Sequence, residues 1–475
     1  MQTAATPFVA LSPVQQAYDR LRAAQRANPY PSRADREDRL ERLEKMIRIH
    51  QEDFVQAISA DFGNRSRHET LIADVLIALD GVRDARRQVR TWMEPQAVRP
   101  RWFFLPSSSY IEHLPRGVVG VIAPWNYPVD LALGPLAGAL AAGNRVMIKP
   151  SELTPKTSEA IARAVRESFS SEEVVVLEGG AEVAQAITQL PLDHLLFTGS
   201  THVGKMVARA AAENLTSTTL ELGGKSPTLI HPDYPLEKAA ERIAIGKLFN
   251  AGQTCIAPDY VLVPKGSEEK FARAFREVVK RLYPDPGNNP DYTSIANPRS
   301  FERLKALLTD AESKGAKVER LVELPVQVGA RKLAPTLVFG ANDQMKVMQE
   351  EIFGPILPIQ GYDSIDGALE YINSHPRPLA FYYFDSDQHR ATELLRRTMS
   401  GGACLNDTLI HFAQEDLPFG GIGPSGNGAY HGFTGFQTFS HARGVYVSSP
   451  LSQVGRLQAP PYGKLLERAL KFLMR

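Results

Sequence analysis

Between residues 117 and 222, short and nearly continuous apolar runs alternate with longer amphipathic stretches. The apolar runs cover residues 118–123, 145–150, 174–177, 194–197 and 218–222. Runs of this length without polar alternation predict strands that are buried on both faces. The amphipathic stretches between them, such as 130–142 and 155–168, predict helices. Strands that alternate with helices indicate a parallel sheet covered by helices, as in Rossmann-like, nucleotide-scale domains.

The same kind of pattern divides the rest of the chain. Residues 12–92 carry apolar positions at helical spacing with charged residues on the opposite face, which predicts helices. A second round of strands and helices runs from 228 to about 384. We therefore predict an α/β fold, with a Rossmann-like domain over 1–94 and 116–222 and a second α/β domain over 223–425.

Residues 95–115 differ in composition from the segments on either side, because they contain four prolines, three consecutive serines and four aromatic residues. Such a segment is too apolar for a solvated linker and too rich in proline for a helix. Two interpretations remain open: an arm that packs on another subunit, or a hairpin that packs against its own subunit. We assign 426–475 to the same bridging part. Its last stretch, 464–475, predicts a basic amphipathic helix that docks on the protein itself, with weak association at a membrane surface as the alternative.

Composition and charge narrow the function classes. A chain of 475 residues exceeds the size at which one core stops growing, so several domains are expected. Lysine and arginine number 54 against 53 acidic residues, which argues against a nucleic-acid partner. Two cysteines cannot form a disulfide framework and suit a reducing compartment. Residues 1–7 do not resemble a signal peptide and no apolar stretch approaches ~20 residues, so we expect a cytoplasmic protein without a membrane span or a metal site.

The first candidate for chemistry is Cys255, on a predicted loop between Gly252 and Pro258. Upstream of it, Glu221 ends a predicted strand and is followed by two glycines. A thiolate can attack a carbonyl group and a nearby carboxylate can then activate water, so the two form a recognisable pair for covalent catalysis. The alternative is that Cys255 is a small buried apolar residue, as most isolated cysteines are.

Polar residues also follow two other predicted strands. Asn126 stands between two aromatic residues and two prolines in 124–128, where its amide can donate to a developing oxyanion. The alternative is a turn residue whose side chain bonds its own backbone. Lys149 and Glu152 follow the next strand, where they can bind the hydroxyls of a ribose or remain as exposed charges.

A further loop, 199–204, ends a predicted strand and opens a helix with Gly199 and Gly204 at its two ends. The unpaired N–H groups and the dipole of a helix N-terminus suit a pyrophosphate. The loop lacks the Lys-Ser/Thr pair of a P-loop, because Lys205 is followed by Met206, so ATP is not indicated. An ordinary turn from strand to helix is the alternative interpretation.

Taken together, these segments resemble the active-site segments of the NAD(P)-dependent aldehyde dehydrogenases. Two further motifs are similar to that family, Glu-Glu-Ile-Phe-Gly-Pro at 350–355 and Leu-Pro-Phe-Gly-Gly at 417–421. The extensions Tyr-His-Gly at 430–432 and Phe-Ser-His at 439–441 resemble its class 3-like branch and, within it, the bacterial coniferyl aldehyde dehydrogenases. The resemblance covers about residues 12–447.

The resemblance implies a role for each candidate residue. It implies that Cys255 is the nucleophile, that Glu221 is the general base, and that Asn126 and the Cys255 N–H form an oxyanion hole. NAD is the expected cofactor, because a glutamate near the ribose would repel a 2′-phosphate, and NADP is the alternative. The residues expected along the cofactor are Lys149 and Glu152 at the adenosine ribose, Ser200 at the pyrophosphate, Glu351 at the nicotinamide ribose, Phe353 near the ring, and Gly199, Gly204, Leu222 and Trp125.

The implied fold is that of the aldehyde dehydrogenases, with an NAD-binding domain, a catalytic domain and an oligomerisation arm. The implied reaction is oxidation of an aldehyde to a carboxylic acid through a thiohemiacetal and a thioester on Cys255. Coniferyl or another aromatic aldehyde is the expected substrate, and a medium- or long-chain aliphatic aldehyde is the alternative. Trp125, Tyr127, Phe412 and His431 are expected to line the access tunnel. The resemblance also implies a homodimer.

Three other functions fit the sequence less well than a hydrolytic aldehyde dehydrogenase. A relative that acylates coenzyme A does not need a carboxylate to activate water, so Glu221 favours hydrolysis. A catalytically silent structural or binding protein with the same fold would be signalled by loss of the thiol, the asparagine or the base, and all three are present. A cysteine hydrolase would need no dinucleotide site and would normally pair its thiol with a histidine.

Overall fold

The computed structural model describes residues 12–324, 331–452, 455 and 459–474. Its helices are α1 (Pro13–Ala27), α2 (Arg33–Phe62), α3 (Arg67–Thr70), α4 (Ile77–Met93), α5 (Asp130–Ala141), α6 (Pro155–Ser168), α7 (Ala181–Thr188), α8 (Thr201–Ala212), α9 (Leu236–Leu248), α10 (Glu268–Leu282), α11 (Pro298–Ser313), α12 (Lys346–Gln349), α13 (Ile365–Ser374), α14 (Gln388–Leu395), α15 (Gly432–Thr438) and α16 (Lys464–Leu473). Its strands are β1 (Gln96–Val98), β2 (Ser108–Pro115), β3 (Val118–Ile122), β4 (Arg145–Lys149), β5 (Val174–Val176), β6 (His194–Gly199), β7 (Ser217–Leu222), β8 (Pro227–Ile230), β9 (Tyr260–Pro264), β10 (Lys317–Arg320), β11 (Thr336–Phe339), β12 (Ile356–Tyr362), β13 (Ala380–Phe384), β14 (Gly402–Leu405), β15 (Gly426–Asn427) and β16 (Ser440–Val447).

The segment 1–7, which the sequence excludes as a signal peptide, lies outside the described residues. The predicted helical region 12–92 forms α1 to α4, with a π-helical turn at Leu71–Leu76 before α4. Among the described residues, no helix is both long enough and apolar enough to cross a membrane.

The first sheet has the strand order β15-β7-β6-β3-β4-β5. Strands β3 to β7 run parallel and β15 runs antiparallel to β7. Each of the strands β3 to β7 corresponds to one of the predicted runs, at 118–123, 145–150, 174–177, 194–197 and 218–222. Because neighbouring parallel strands end at the same edge, the loops that follow β3, β4, β6 and β7 gather on one side of the sheet.

The second sheet has the strand order β10-β11-β12-β9-β8-β13-β14. It is parallel except for β10, which runs antiparallel to β11. Apolar residues such as Val261, Leu337 and Phe381 are buried on it. Only residues 223–226 connect β7 to β8, so the carboxyl edge of the first sheet faces the amino edge of the second.

The third sheet has the strand order β1-β2-β16. Over eight residue pairs, β16 lies antiparallel to β2, from Ser440 opposite Pro115 to Val447 opposite Ser108. Residues 426–439, which the sequence analysis grouped with this arm, contact both this sheet and the first sheet. The His113 ring of β2 lies 5.5 Å from the Phe436 ring on α15. Strand β15 pairs with β7 of the first sheet, and the Phe436 ring on α15 packs against Trp92 of α4 at 5.5 Å between centroids. The domain boundaries themselves remain a prediction.

Candidate active site

The site lies where the two large sheets meet. Strand β8 pairs in parallel with β9 from Pro227 opposite Tyr260 onward, so the segments before these two strands lie side by side. The Asp259 N–H donates to the Ser226 carbonyl at 2.8 Å and holds them together. The loop of Cys255 precedes β9 and the strand of Glu221 precedes β8, so this pairing brings the thiol and the carboxylate to one place.

Glu221 lies in β7, and only 3% of its surface is exposed. Neither of its carboxylate oxygens has a hydrogen-bond partner among the described residues. Burial raises the pKa of this carboxyl group well above its ordinary value, because the charged form is not compensated by a donor. Glu221 is therefore a buried acid that holds a proton far more readily than an exposed glutamate.

The loop that carries Cys255 has an unusual backbone. A short 3-10 turn, Phe249–Gly252, precedes it, and Asn250 and Ala251 both have positive φ angles, of 52° and 51°. Gly252 continues with a φ of 75°, and a Cβ atom there would lie 2.4 Å from the carbonyl oxygen of Gly354. Only glycine fits that position, so the turn depends on it to present the half-buried Cys255 toward Glu221.

The Cys255 thiol is surrounded by negative groups. Burial raises its pKa above the ordinary value, and the charges of Glu351 and Glu221 raise it further. The backbone N–H groups of Cys255 and Ile256 act in the opposite direction, because they stabilise the thiolate. In this arrangement the thiol keeps its proton until a neighbouring base accepts it.

Asn126 lies on the loop between β3 and α5 and is buried. Its side-chain Nδ2 donates to the Gln253 carbonyl at 3.2 Å, two residues before Cys255. The Asn250 Nδ2 donates to the same carbonyl at 3.1 Å. Gln253 is itself held by the Ala296 N–H, which donates to its Oε1 at 2.9 Å. The amide of Asn126 is thus fixed against the loop of the thiol.

Glu351 reaches the same place from the second sheet. Its carboxylate lies over Gly223, where a Cβ atom would be 2.0 Å from its Oε2. Burial and the charge of Asp259 raise its pKa to about 8, while the Gly224 N–H and Lys225 act to lower it. Its Oε1 is buried, and no residue that the structure describes is hydrogen-bonded to it. A second buried carboxylate therefore lies beside the thiol and has one oxygen available.

Phe353 and Trp125 form an aromatic wall beside Glu351. Phe353 has a positive φ of 54°, which directs its ring toward Trp125 at 5.4 Å between centroids in an edge-to-face arrangement. Trp125 also packs on Phe62 at 6.0 Å. The three rings tie helix α2, the loop after β3 and the loop before β12 together.

The loop 199–204 begins helix α8. Ser200 is the N-cap, and its Oγ accepts from the Val203 N–H at 3.4 Å. A Cβ atom at Gly204 would lie 2.5 Å from the Leu222 Cδ2, so glycine allows α8 to approach β7 closely. A Cβ atom at Gly199 would lie 2.6 Å from the Phe197 ring, which is a similarly close approach. The helix N-terminus is thereby held at the same edge of the sheet as Glu221.

Lys149 ends β4 at this edge, and its buried ammonium group is hydrogen-bonded to the half-exposed Glu152. Burial opposes ionisation of Glu152, but the hydrogen bond from Lys149 lowers its pKa overall. The pair lies on the first sheet with the loop of Ser200, whereas Cys255, Glu221, Asn126 and Glu351 gather between the sheets.

The residues expected along the tunnel lie in three places. The ring of His431 packs against Phe412 and Phe419, with centroids 4.8 Å and 5.5 Å apart. Tyr127 is instead buried beside the thiol loop, where its hydroxyl is hydrogen-bonded to Thr254. Trp125 belongs to the wall with Phe353.

Two residues at the site were missed by the sequence analysis. Tyr430 is buried, and the charges of Asp130, Glu221 and Cys255 add to burial in raising its pKa, so its hydroxyl lies near both the base and the thiol. Arg65 is buried and donates to the Asn126 carbonyl at 2.7 Å. The motif around Tyr430 was noticed only as a branch marker, and nothing in the local sequence distinguishes Arg65 from a surface arginine.

Known proteins resemble this chain over most of its length. The profile of the aldehyde dehydrogenase family matches residues 4–445. A probable coniferyl aldehyde dehydrogenase of Pseudomonas aeruginosa is 50% identical over 451 residues, which is 95% of this chain and 94% of that protein. A coniferyl aldehyde dehydrogenase of Pseudomonas sp. strain HR199 is 46% identical over 93% of this chain and 92% of its own length.

The fold agrees as well. The substrate-bound structure of AldH from Staphylococcus aureus superposes with a TM-score of 0.92 at 36% identity, over 98% of this chain and all of that one. The prediction of an aldehyde dehydrogenase fold is therefore confirmed. By family profile, by sequence identity and by fold, this chain belongs to the aldehyde dehydrogenase family.

Proposed function

We propose that the protein oxidises a coniferyl-type aromatic aldehyde to its carboxylic acid, with Cys255 as nucleophile and Glu221 as base. That the chain is an NAD-dependent aldehyde dehydrogenase follows from its family. The observation that carries the proposed site is the buried Glu221 carboxylate. It has no hydrogen-bond partner within the described ranges and lies within electrostatic range of the Cys255 thiol. A buried carboxylate without a partner is costly to a fold and is typical of a group kept for chemistry.

In the first stage, the Cys255 sulfur adds to the aldehyde carbon as the thiol proton passes to a base. The carbonyl oxygen becomes an oxyanion, which accepts hydrogen bonds from the Asn126 amide and the Cys255 N–H. One hydrogen of the Asn126 amide already bonds the Gln253 carbonyl, so the group is oriented before the substrate arrives. The product of this stage is a thiohemiacetal on Cys255.

We infer that NAD occupies the carboxyl edge of the first sheet. The N-terminus of α8 at Ser200, with its close approach at Gly204, suits the pyrophosphate. Lys149 and Glu152 suit the adenosine ribose, and the unpartnered oxygen of Glu351 suits the nicotinamide ribose. When bound there, NAD supplies the acceptor for the hydride that the thiohemiacetal loses.

In the last stage, the thioester on Cys255 is hydrolysed. Glu221 takes a proton from water, the resulting hydroxide adds to the thioester carbon, and the Cys255 thiolate leaves as the acid forms. Glu221 must be ionised before this step. Its raised pKa then makes the carboxylate a stronger base toward the water proton.

Two observations support an aromatic substrate. The relatives at 50% and 46% identity carry the name coniferyl aldehyde dehydrogenase. Phe412, Phe419 and His431 form a wall of rings, to which a planar aromatic group can pack. A medium- or long-chain aliphatic aldehyde is the second candidate, because the same wall is also apolar.

We also propose a homodimer in the cytoplasm. The third sheet leaves Trp102, Tyr446 and Val447 exposed, and an exposed apolar patch of this kind suits a second copy of the chain. Size-exclusion chromatography with light scattering tests the dimer. A monomer at micromolar concentration would contradict it.

The function is tested by the formation of NADH with coniferyl aldehyde and with octanal, for the wild type and Cys255→Ala. We expect turnover of coniferyl aldehyde that the substitution abolishes. Preference for octanal that is also abolished would keep the chemistry and overturn the substrate. Full activity of Cys255→Ala would overturn the assignment of the nucleophile.

A further inference from the structure

A buried arginine lies behind the candidate oxyanion residue. Arg65 follows α2, and its side chain is completely inaccessible to solvent. Its Nη1 donates to the Asn126 carbonyl at 2.7 Å, and its Nη2 pairs with the Asp74 Oδ2 at 3.3 Å. The guanidinium group lies between the rings of Phe62 and Tyr127, at 5.1 Å and 4.9 Å from their centroids. These contacts restrict the guanidinium group to one orientation.

Asp74 fixes the other side of the same loop. It lies in the π-helical turn Leu71–Leu76, a kind of turn that is often found at functional sites. Its Oδ1 accepts from the N–H groups of Val129 and Asp130 at 3.0 Å and 3.3 Å, at the beginning of α5. The pair of Arg65 and Asp74 therefore binds the backbone on both sides of the segment that follows Asn126.

The same carbonyl connects this pair to the loop of the thiol. The Asn250 Nδ2 donates to the Asn126 carbonyl at 3.1 Å and also to the Gln253 carbonyl at 3.1 Å. The side chain of Asn126 donates to that Gln253 carbonyl as well. The backbone of Asn126, its amide and the loop before Cys255 thus form one closed hydrogen-bond network.

We propose that Arg65, held by Asp74, is a positioning residue that orients the Asn126 amide for the oxyanion. This rests on the proposed role of Asn126. A buried ion pair adds little stability over apolar residues of the same volume, so stability alone gives no reason for a pair at this place. Orientation of Asn126 gives such a reason, because a displacement of about 1 Å at a reacting group can lower a rate by about 100-fold.

A double-mutant cycle tests the proposal, with kcat and KM measured for Arg65→Met, Asn126→Ala and the double variant. The substrate is whichever of coniferyl aldehyde and octanal the wild type oxidises faster. We expect Arg65→Met to lower kcat by about 10- to 100-fold and to leave the aldehyde KM within about threefold. In the Asn126→Ala background the same substitution should lower kcat by less than about threefold, because the residue it orients is gone.

Two further variants separate orientation from folding. Arg67→Met removes an exposed arginine two residues after Arg65, which pairs with Glu52. This substitution should leave kcat unchanged. Arg65→Lys keeps the charge and a hydrogen-bond donor group, so it should retain more kcat than Arg65→Met. If Arg65→Met does not fold, the cycle is run with Arg65→Lys.

Each outcome decides the proposal. Equal losses of kcat from Arg65→Met in both backgrounds would assign the residue to general stability and overturn the inference alone. An unchanged kcat for Arg65→Met would overturn it too. Full activity of Asn126→Ala would remove the proposed oxyanion role and the inference with it.

Discussion

Two buried carboxylates approach the Cys255 thiol from different parts of the fold. Glu221 comes from β7 of the first sheet, and in the described part of the chain neither a hydrogen-bond donor nor a cation lies beside it. Glu351 comes from the loop before β12 and is stabilised by the Gly224 N–H and by Lys225. Both pKa values are raised by burial, but only that of Glu351 is partly compensated. We propose that the same residue type serves proton transfer in one place and ligand binding in the other.

Glu221→Gln should produce the largest effect. Glutamine has the shape of the carboxylate but cannot accept the water proton, so we expect kcat to fall by about 10²- to 10⁴-fold. Addition of the aldehyde and loss of hydride do not need that proton transfer from water. Rapid mixing should therefore show a burst of about one NADH per Cys255, followed by slow turnover. Steady-state activity close to that of the wild type would contradict the assignment of the base.

Glu351→Gln should produce a smaller and different effect. An amide binds ribose hydroxyls less strongly than a carboxylate, so we expect the KM for NAD to rise by about tenfold with little loss of kcat. Initial rates at varied NAD concentration measure it. Glu350→Gln is the matched control, because that half-exposed neighbour makes only a 3.8 Å ion pair with Arg303. A loss of kcat equal to that of Glu221→Gln would remove the distinction between the two carboxylates.

The pH dependence of stability should reveal the cost of burying Glu351. Its pKa rises from 4.5 to about 8 on folding, so between these values the folded state binds more protons than the unfolded state. Stability from this group is therefore complete below pH 4.5 and is lost as the pH rises toward 8. We expect the Tm of the wild type to fall by a few degrees relative to Glu351→Gln between pH 5 and 8. A constant difference in Tm would contradict the shift.

Gly223→Ala should produce the smallest effect. Its new Cβ would lie 2.0 Å from the Glu351 Oε2, and the carboxylate can move away because it is the end of a flexible side chain. We expect the KM for NAD to rise by about threefold, which corresponds to less than 1 kcal/mol. Gly444→Ala is the control, since a Cβ there meets no atom within 4 Å. A loss of the NADH burst in Gly223→Ala would show that the substitution also disturbs Glu221.

Local patterns predicted most of the parallel strands. The run at 118–123 became β3, Val118–Ile122, because a short stretch of valine and isoleucine has few alternatives to a buried strand. Residues 426–439 were harder to place. Their glycines and aromatics show no clear period. Only the tertiary structure shows that Gly426 and Asn427 pair with the first sheet, where a Cβ at Gly426 would lie 2.0 Å from the Leu220 carbonyl oxygen.

The sequence by itself determined the alternation of strands and helices, the candidate nucleophile and base, and the family to which the chain belongs. These depend on local patterns and on short motifs, which are readable wherever the chain later lies. Only the tertiary structure decided that Glu351 lies over Gly223 beside the thiol. It also decided that Arg65, paired with Asp74, is hydrogen-bonded to the backbone of Asn126. Such contacts join residues far apart in the chain, and their energies depend on burial, which no local pattern contains.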